Sequence, residues 1–216
     1  MKDLRPAARR AELFFFRSKL SRLFAELMSR KARHLYQLVV DDVGPIEDGG
    51  VIADIGCGHG TFLLMYLSQY PRVEGFGLDQ SAELCAFARN QCERGKVKAA
   101  FAAGDAHVAP LPEQAFDVVV STSSIYLWHD PVLVLNRIYS ALKPGGRLLL
   151  YDELPARKLG EIWSALAEQR LYGLGLPAYT EKELLDFANH SHFESVVVDI
   201  DKLIIRLTLE KKNPDA

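Results

Sequence analysis

The sequence is poor in cysteine: Cys57, Cys85 and Cys92 are the only three in 216 residues. They form no CxxC pair, and an odd number makes no complete disulfide framework. That excludes a disulfide-built secreted scaffold and points to reduced thiols in the cytoplasm. Long apolar runs are missing too. No stretch approaches the ~18 uninterrupted apolar residues of a membrane span, and Leu13-Phe14-Phe15-Phe16 falls short of the ~7–15-residue core of a secretory signal. The chain is therefore expected to be soluble, without a transmembrane segment, and not exported. Internal repeats and low-complexity tracts are absent as well. With 49% hydrophobic and 25% charged residues, the composition excludes disordered and fibrous classes and describes an ordinary globular chain.

The small net charge of −2 hides an uneven distribution. Residues 1–34 hold ten Lys/Arg against Asp3, Glu12 and Glu26, whereas the rest of the chain carries 16 basic and 25 acidic side chains. Leu13, Phe16, Leu20, Leu23, Phe24, Leu27 and Met28 recur at helical spacing within that basic stretch, predicting an amphipathic helix. A second helix through Leu35–Val40 ends near Gly44-Pro45. Residues 1–45 are thus expected to form an N-terminal helical extension or lid, and 46–216 the main domain. The basic positions are spread around the helix rather than gathered in one run, which weighs against nucleic acid as a partner.

After Pro45 the pattern alternates. Apolar runs at Val51–Ile55, Val73–Leu78, Val97–Ala103, Phe116–Ser121 and Arg147–Tyr151 are separated by helical windows from Thr61, from Ser81 and over Pro131–Leu142. Strands alternating with helices at this spacing make βαβ units and a parallel sheet covered on both faces. Ser81 is placed to cap one helix, and Lys143-Pro144-Gly145-Gly146 to end another. A further helix is expected over Arg157–Tyr172, followed by the connection Gly173–Pro177. Thr180-Glu181-Lys182-Glu183 fits a capping box, and Ser195–Ile200 with Leu203–Leu209 reads as an antiparallel strand pair.

The most informative segment is Asp54-Ile-Gly56-Cys57-Gly58-His59-Gly60, between a strand and a helix. Bare backbone there allows close approach of a ligand. A dinucleotide loop would carry a further glycine where Thr61 stands, and a triphosphate loop would end in Gly-Lys-Ser/Thr, which is absent. The next strand ends at Asp79, whose carboxylate can accept from both hydroxyls of a ribose. The third ends in Gly104-Asp105-Ala106, where an acceptor-only group suits an exocyclic amine such as that of adenine.

Together with Phe116-Asp117-Val118-Val119-Val120-Ser121 and Leu142-Lys143-Pro144-Gly145-Gly146, these segments resemble the class I S-adenosylmethionine-dependent methyltransferases, in particular the small-molecule branch that includes ubiquinone/menaquinone C-methyltransferases. The likeness covers residues 50–152. It implies an α/β, Rossmann-like, seven-stranded and mostly parallel sheet with the last strand antiparallel and helices on both faces. It also implies that Gly56, Gly58 and Gly60, with Cys57 between them, pass beneath the methionine part of S-adenosylmethionine while Asp54 holds the loop and approaches the amino group. Asp79 would bind the ribose, Gln80 would border the adenine, Asp105 and the Ala106 backbone would address the adenine edge, and Ser121 would face the methionine moiety and the reacting centre.

Other residues admit two readings. His59 either touches the cofactor carboxylate or lies at the surface, and His107 either flanks the adenine or is exposed. Asp117 reads as a structural strand-start residue, Cys57 as a small residue packed under the loop, and Cys85 and Cys92 as core. Tyr126, Trp128 and His129 follow a strand end where ligands of open α/β sheets lie. Tyr126 and His129 are the catalytic candidates there, His129 because an imidazole can take a proton near neutral pH. No metal cluster is apparent. The activity implied is transfer of a methyl group to a small-molecule acceptor by in-line displacement, in which alignment does most of the catalysis. An NAD-dependent oxidoreductase, or a non-catalytic protein of the same fold that binds RNA or another protein, are the alternatives. The oligomeric state is left open.

Overall fold

A computed structural model of the chain describes residues 33–153, 179–201 and 204–213. The helices expected over 13–28 and 157–172 and the connection at 173–177 lie outside the described residues, as does Leu203. The first described element is helix α1 over 33–43. It is followed by β1 (Val51–Ile55), α2 (Thr61–Gln69), β2 (Glu74–Asp79), α3 (Ala82–Gly95), β3 (Ala99–Ala103) and β4 (Phe116–Thr122). After a 3₁₀ turn at Ile125–Leu127 come α4 (Pro131–Ala141), β5 (Leu142–Glu153), α5 (Glu181–Asn189), β6 (Ser195–Asp201) and β7 (Ile204–Glu210).

The seven strands form one sheet in the order β3-β2-β1-β4-β5-β7-β6. The pairs among β1 to β5 are parallel, and β7 runs antiparallel to both β5 and β6. This is the α/β architecture that the alternation of strands and helices predicts. The pleat divides the core in two. On one face Ile52, Val118, Val120, Leu149 and Tyr151 pack against Val39, Val40 and Val43 of α1 and against α2 and α3. On the other, Ala53, Ile55, Val119, Leu148 and Leu150 meet α4 and α5. Strand β4 shows why a parallel sheet reads as a continuous apolar run: Val118, Val119 and Val120 are all buried, and each such side chain contributes about 1.5–3 kcal/mol of transfer free energy.

Helix starts follow their side chains. Ser81 Oγ accepts the Leu84 N–H at 3.3 Å, Asp130 Oδ1 accepts that of Leu133 at 3.0 Å ahead of Pro131, and Thr180 with Glu183 completes the expected capping box. Asp117 is structural, as expected at a strand start: its Oδ2 takes the Val51 N–H and the Lys143 ammonium, both at 2.7 Å. Strand β5 begins at Leu142 rather than Arg147, because the register slips between Phe116 and Val118 and Lys143–Gly146 bulge out of the ladder.

Candidate functional site

The C-terminal ends of β1 to β4 line one edge of the sheet. The registers Ile55↔Leu78 and Asp79↔Ala103 bring the loop after β1 beside the ends of β2 and β3. The loop is built on β2. Gly56 and Cys57 both donate their N–H groups to the Leu78 carbonyl, at 2.8 and 3.0 Å. Gly58 donates to Asp79 Oδ2 at 2.9 Å, and Ser81 donates to Oδ1 at 2.8 Å. One carboxylate therefore holds both the glycine loop and the start of α3. Desolvation nevertheless raises the Asp79 carboxyl above its ordinary range, outweighing the Ser81 and Gly58 donors.

The three loop glycines are not equivalent, although all have positive φ (+85°, +49° and +74°). A Cβ on Gly56 would stand 2.7 Å from Cβ of Ser124, and one on Gly60 2.7 Å from Cβ of Ala88 in α3. Those two glycines are demanded by the protein's own packing. A Cβ on Gly58 would meet nothing within 4 Å, so only there does the loop present bare backbone to open space. For Gly56 and Gly60 the close neighbour is protein.

Asp54, at the end of β1, is 4% exposed. Burial, with added repulsion from Asp79, pushes its pKa up to about 8. No donor among the described residues hydrogen-bonds to its carboxyl group. A cationic ligand group would supply the counter-charge that burial withholds.

The surface alternative for His59 is corrected: it is 8% exposed, and burial lowers its pKa to about 4, leaving a neutral imidazole. Its Nδ1 meets Thr61 Oγ1 at 2.7 Å, and its ring stands edge-on to Tyr36 of α1 with centroids 6.2 Å apart. Cys57 packs under the loop as expected, its Sγ 2.8 Å from where a Cβ on Gly77 would be. A hydrogen bond to Cys85 and burial hold its thiol well above the usual range. Cys85 and Cys92 are buried free thiols.

At the end of β3, Asp105 Oδ1 accepts the His107 N–H at 2.9 Å and pairs with His107 Nδ1 at 2.5 Å. Burial would raise the Asp105 carboxyl, but the two His107 donors and the neighbouring His129 hold it below its ordinary range. His107 is buried at 5%, so its exposed alternative is also corrected. The Ala106 carbonyl accepts from Arg137 Nε at 3.0 Å, and Gln80 is half-buried between Asp79 and Ser81.

At the end of β4, Ser121 Oγ donates to the Ile55 carbonyl at 2.7 Å and lies 2.6 Å from Ser124 Oγ. The two hydroxyls thus pin the last residue of β1, where the glycine loop begins. Tyr126 is half-buried on the 3₁₀ turn and packs against the core, whereas His129 is exposed and stacks on His107, ring centroids 3.6 Å apart. Ser124, Ala88 and the His107–His129 contact carry no individual signal in the sequence. The Ser121-x-x-Ser124 spacing is the nearest to one, since residues three apart meet across a tight turn.

Residues 52–146 match a family described as a methyltransferase domain. The chain is 27% identical over 168 residues to the fatty-acid O-methyltransferase of Mycolicibacterium smegmatis, an alignment covering 77% of this chain and 61% of that protein. It is 32% identical over 107 residues to the demethylmenaquinone methyltransferase of Thermus thermophilus, covering 50% of this chain and 49% of that one. A SAM-dependent methyltransferase from Aquifex aeolicus has the same fold, with a TM-score of 0.68 at 17% identity over 88% of this chain and 97% of that one. Residues 52–146 thus match a methyltransferase domain, on a fold shared with the Aquifex aeolicus protein. None of these relatives supports an oxidoreductase. The chain spans about three-fifths and one-half of the two curated relatives.

Proposed function

We propose that this chain transfers the methyl group of S-adenosylmethionine to a small-molecule acceptor. The observation that carries the reading is the pairing of Asp54, a buried carboxyl group without a donor among the described residues, with Gly58, the loop position that opens to space. A ligand with an ammonium group and an adjacent diol fits that pair better than a pyrophosphate, because a cation and hydroxyl donors complement carboxyl oxygens whereas an anion offers them neither. Asp54 would take the amino group, and the loop from Gly56 through Cys57 to Gly60 would pass beneath the methionine part. Asp79 would accept from the ribose hydroxyls with the oxygen capacity left beyond Gly58 and Ser81. Gln80 would border the adenine, Asp105 and Ala106 would meet its edge, and Ser121, through Ile55, would hold the loop in register.

When bound, S-adenosylmethionine supplies an activated methyl group on a good leaving group. The chain's part is then to align the acceptor and exclude water, which can supply ~7–11 kcal/mol of the barrier. Tyr126 at the β4 end is the residue we assign to the acceptor side. Both curated relatives named above carry out methyl transfer by name, on a fatty acid and on demethylmenaquinone, which favours an apolar acceptor with an ionisable oxygen or an activated ring carbon. Free, buried thiols favour the reducing cytoplasm as the place of reaction. Among the described residues no helix is long and apolar enough to cross a membrane, and no group of side chains is arranged to hold a metal ion.

The test is incubation with S-adenosylmethionine labelled in its methyl group and an extract of small metabolites, followed by mass spectrometry. Label in a small acceptor, lost in Asp79→Ala, is expected. Cofactor binding without transfer to any pool would favour the non-catalytic alternative and overturn the proposal.

A further inference from the structure

Asp105, His107 and His129 form a cluster of titratable side chains at the ends of β3 and β4. Its hydrogen bonds fix its chemistry. The Asp130 N–H, which can only donate, points at His107 Nε2 at 3.3 Å. Nδ1 in turn meets Asp105 Oδ1. His107 is thus a buried ring with both nitrogens occupied, and it offers its face as well as its edge. That face carries His129, the rings inclined at only 22°. Asp105 uses Oδ1 for both His107 donors, while no donor among the described residues reaches Oδ2, on a side chain that is 36% exposed.

From this arrangement we infer that His129 serves the cofactor side of the site: stacked on His107, it forms the outer wall of the adenine pocket, and Asp105 is aimed at the adenine amine by the same His107. The inference rests on the cofactor reading proposed above and changes the role first expected for His129, from proton acceptor to a positioning surface for the nucleoside. One carboxylate then faces the amine with Oδ2 and organises the wall with Oδ1. Arg137, which binds the carbonyls of Ala106 and Ala109, braces the turn from behind.

The experiment is calorimetric titration of the full chain with S-adenosylhomocysteine and, separately, with adenosine, which carries the base and sugar alone. His129→Ala and His129→Gln are the variants, with melting temperatures recorded to confirm folding and Asp79→Asn as a control. Expected is a 3- to 10-fold loss of affinity for both ligands in His129→Ala, the size of one aromatic contact, with partial recovery in neither the amino acid part nor the sugar contacts. His129→Gln, which keeps polarity but not the ring, should lose as much. Unchanged affinity in both His129 variants, while Asp79→Asn binds less, overturns this inference and leaves the cofactor reading standing. If Asp79→Asn also binds as wild type does, the cofactor reading falls and this inference with it.

Discussion

The loop after β1 and the segment after β4 sit at neighbouring strand ends, and they are held in different ways. The loop is fixed by backbone N–H groups that donate to β2: to the Leu78 carbonyl from Gly56 and Cys57, and to Asp79 from Gly58. The segment after β4 has one such backbone anchor, the Ser123 N–H to the Tyr151 carbonyl at 2.8 Å, and otherwise relies on side chains, through the Ser121–Ser124 hydroxyl pair and the His107–His129 stack. Backbone anchoring tolerates little variation, because glycine is needed wherever a Cβ would strike a neighbour. Side-chain anchoring can be rebuilt with other residues.

The largest effect that would break the comparison is expected from Gly60→Ala. Its Cβ would strike Ala88 and its φ of +74° is strained for any L side chain, so we expect a loss of about 3 kcal/mol in denaturant unfolding together with loss of cofactor binding. Gly58→Ala sharpens the contrast, because it meets no protein atom. It should fold with only the ~1 kcal/mol cost of its backbone conformation and be defective mainly in ligand titration. Equal destabilisation of the two variants would contradict the distinction between packed and open glycines.

Next in size is Asp79→Ala, which removes ribose contacts and also frees the Gly58 and Ser81 N–H groups. A loss of ~2–4 kcal/mol in S-adenosylhomocysteine affinity by calorimetry is expected. On the β4 side, Ser124→Ala should cost about 1 kcal/mol of stability and change affinity little, since Ser121 still donates to Ile55.

The smallest effect is a pH dependence. Asp54 in the folded, ligand-free chain holds its proton up to about pH 8, whereas an ordinary aspartic acid gives it up at about pH 4. The folded state therefore binds more protons than the unfolded one across that window, and this group's contribution to stability is present below about pH 4 and declines as pH rises to about 8. A ligand ammonium group needs the carboxylate, so affinity should climb from pH 6 to about 8 and then level off, with proton release at pH 7 seen as a dependence of binding heat on buffer ionisation enthalpy. A flat profile would remove Asp54 from the amino-group contact.

Much of the sheet is legible in the chain, for physical reasons that differ by element. Val118–Val120 and Leu148–Leu150 are apolar on both sides because helices cover both faces, and Ser81 and Thr180 mark helix starts because their hydroxyls accept from otherwise orphan N–H groups. The start of β5 is not legible, since the bulge at Lys143–Gly146 depends on pairing with β4. Within the site, Asp54, Asp79 and Asp105 stand out because strand ends carry ligands in this architecture. What packs against Gly56 and Gly60 does not, because Ser124 and Ala88 arrive from distant segments. Nor does the burial of His59 and His107, whose neighbours Tyr36 and His129 lie 23 and 22 residues away.

The central claim is that the edge beside Gly58, between Asp54 and Asp79, accepts an adenosyl group joined to an amino acid. Calorimetric titration of the purified chain with S-adenosylhomocysteine and with NAD tests it most directly. Saturable 1:1 binding of the first and none of the second is predicted; tighter binding of NAD, or no binding of S-adenosylhomocysteine by the folded chain, would contradict it.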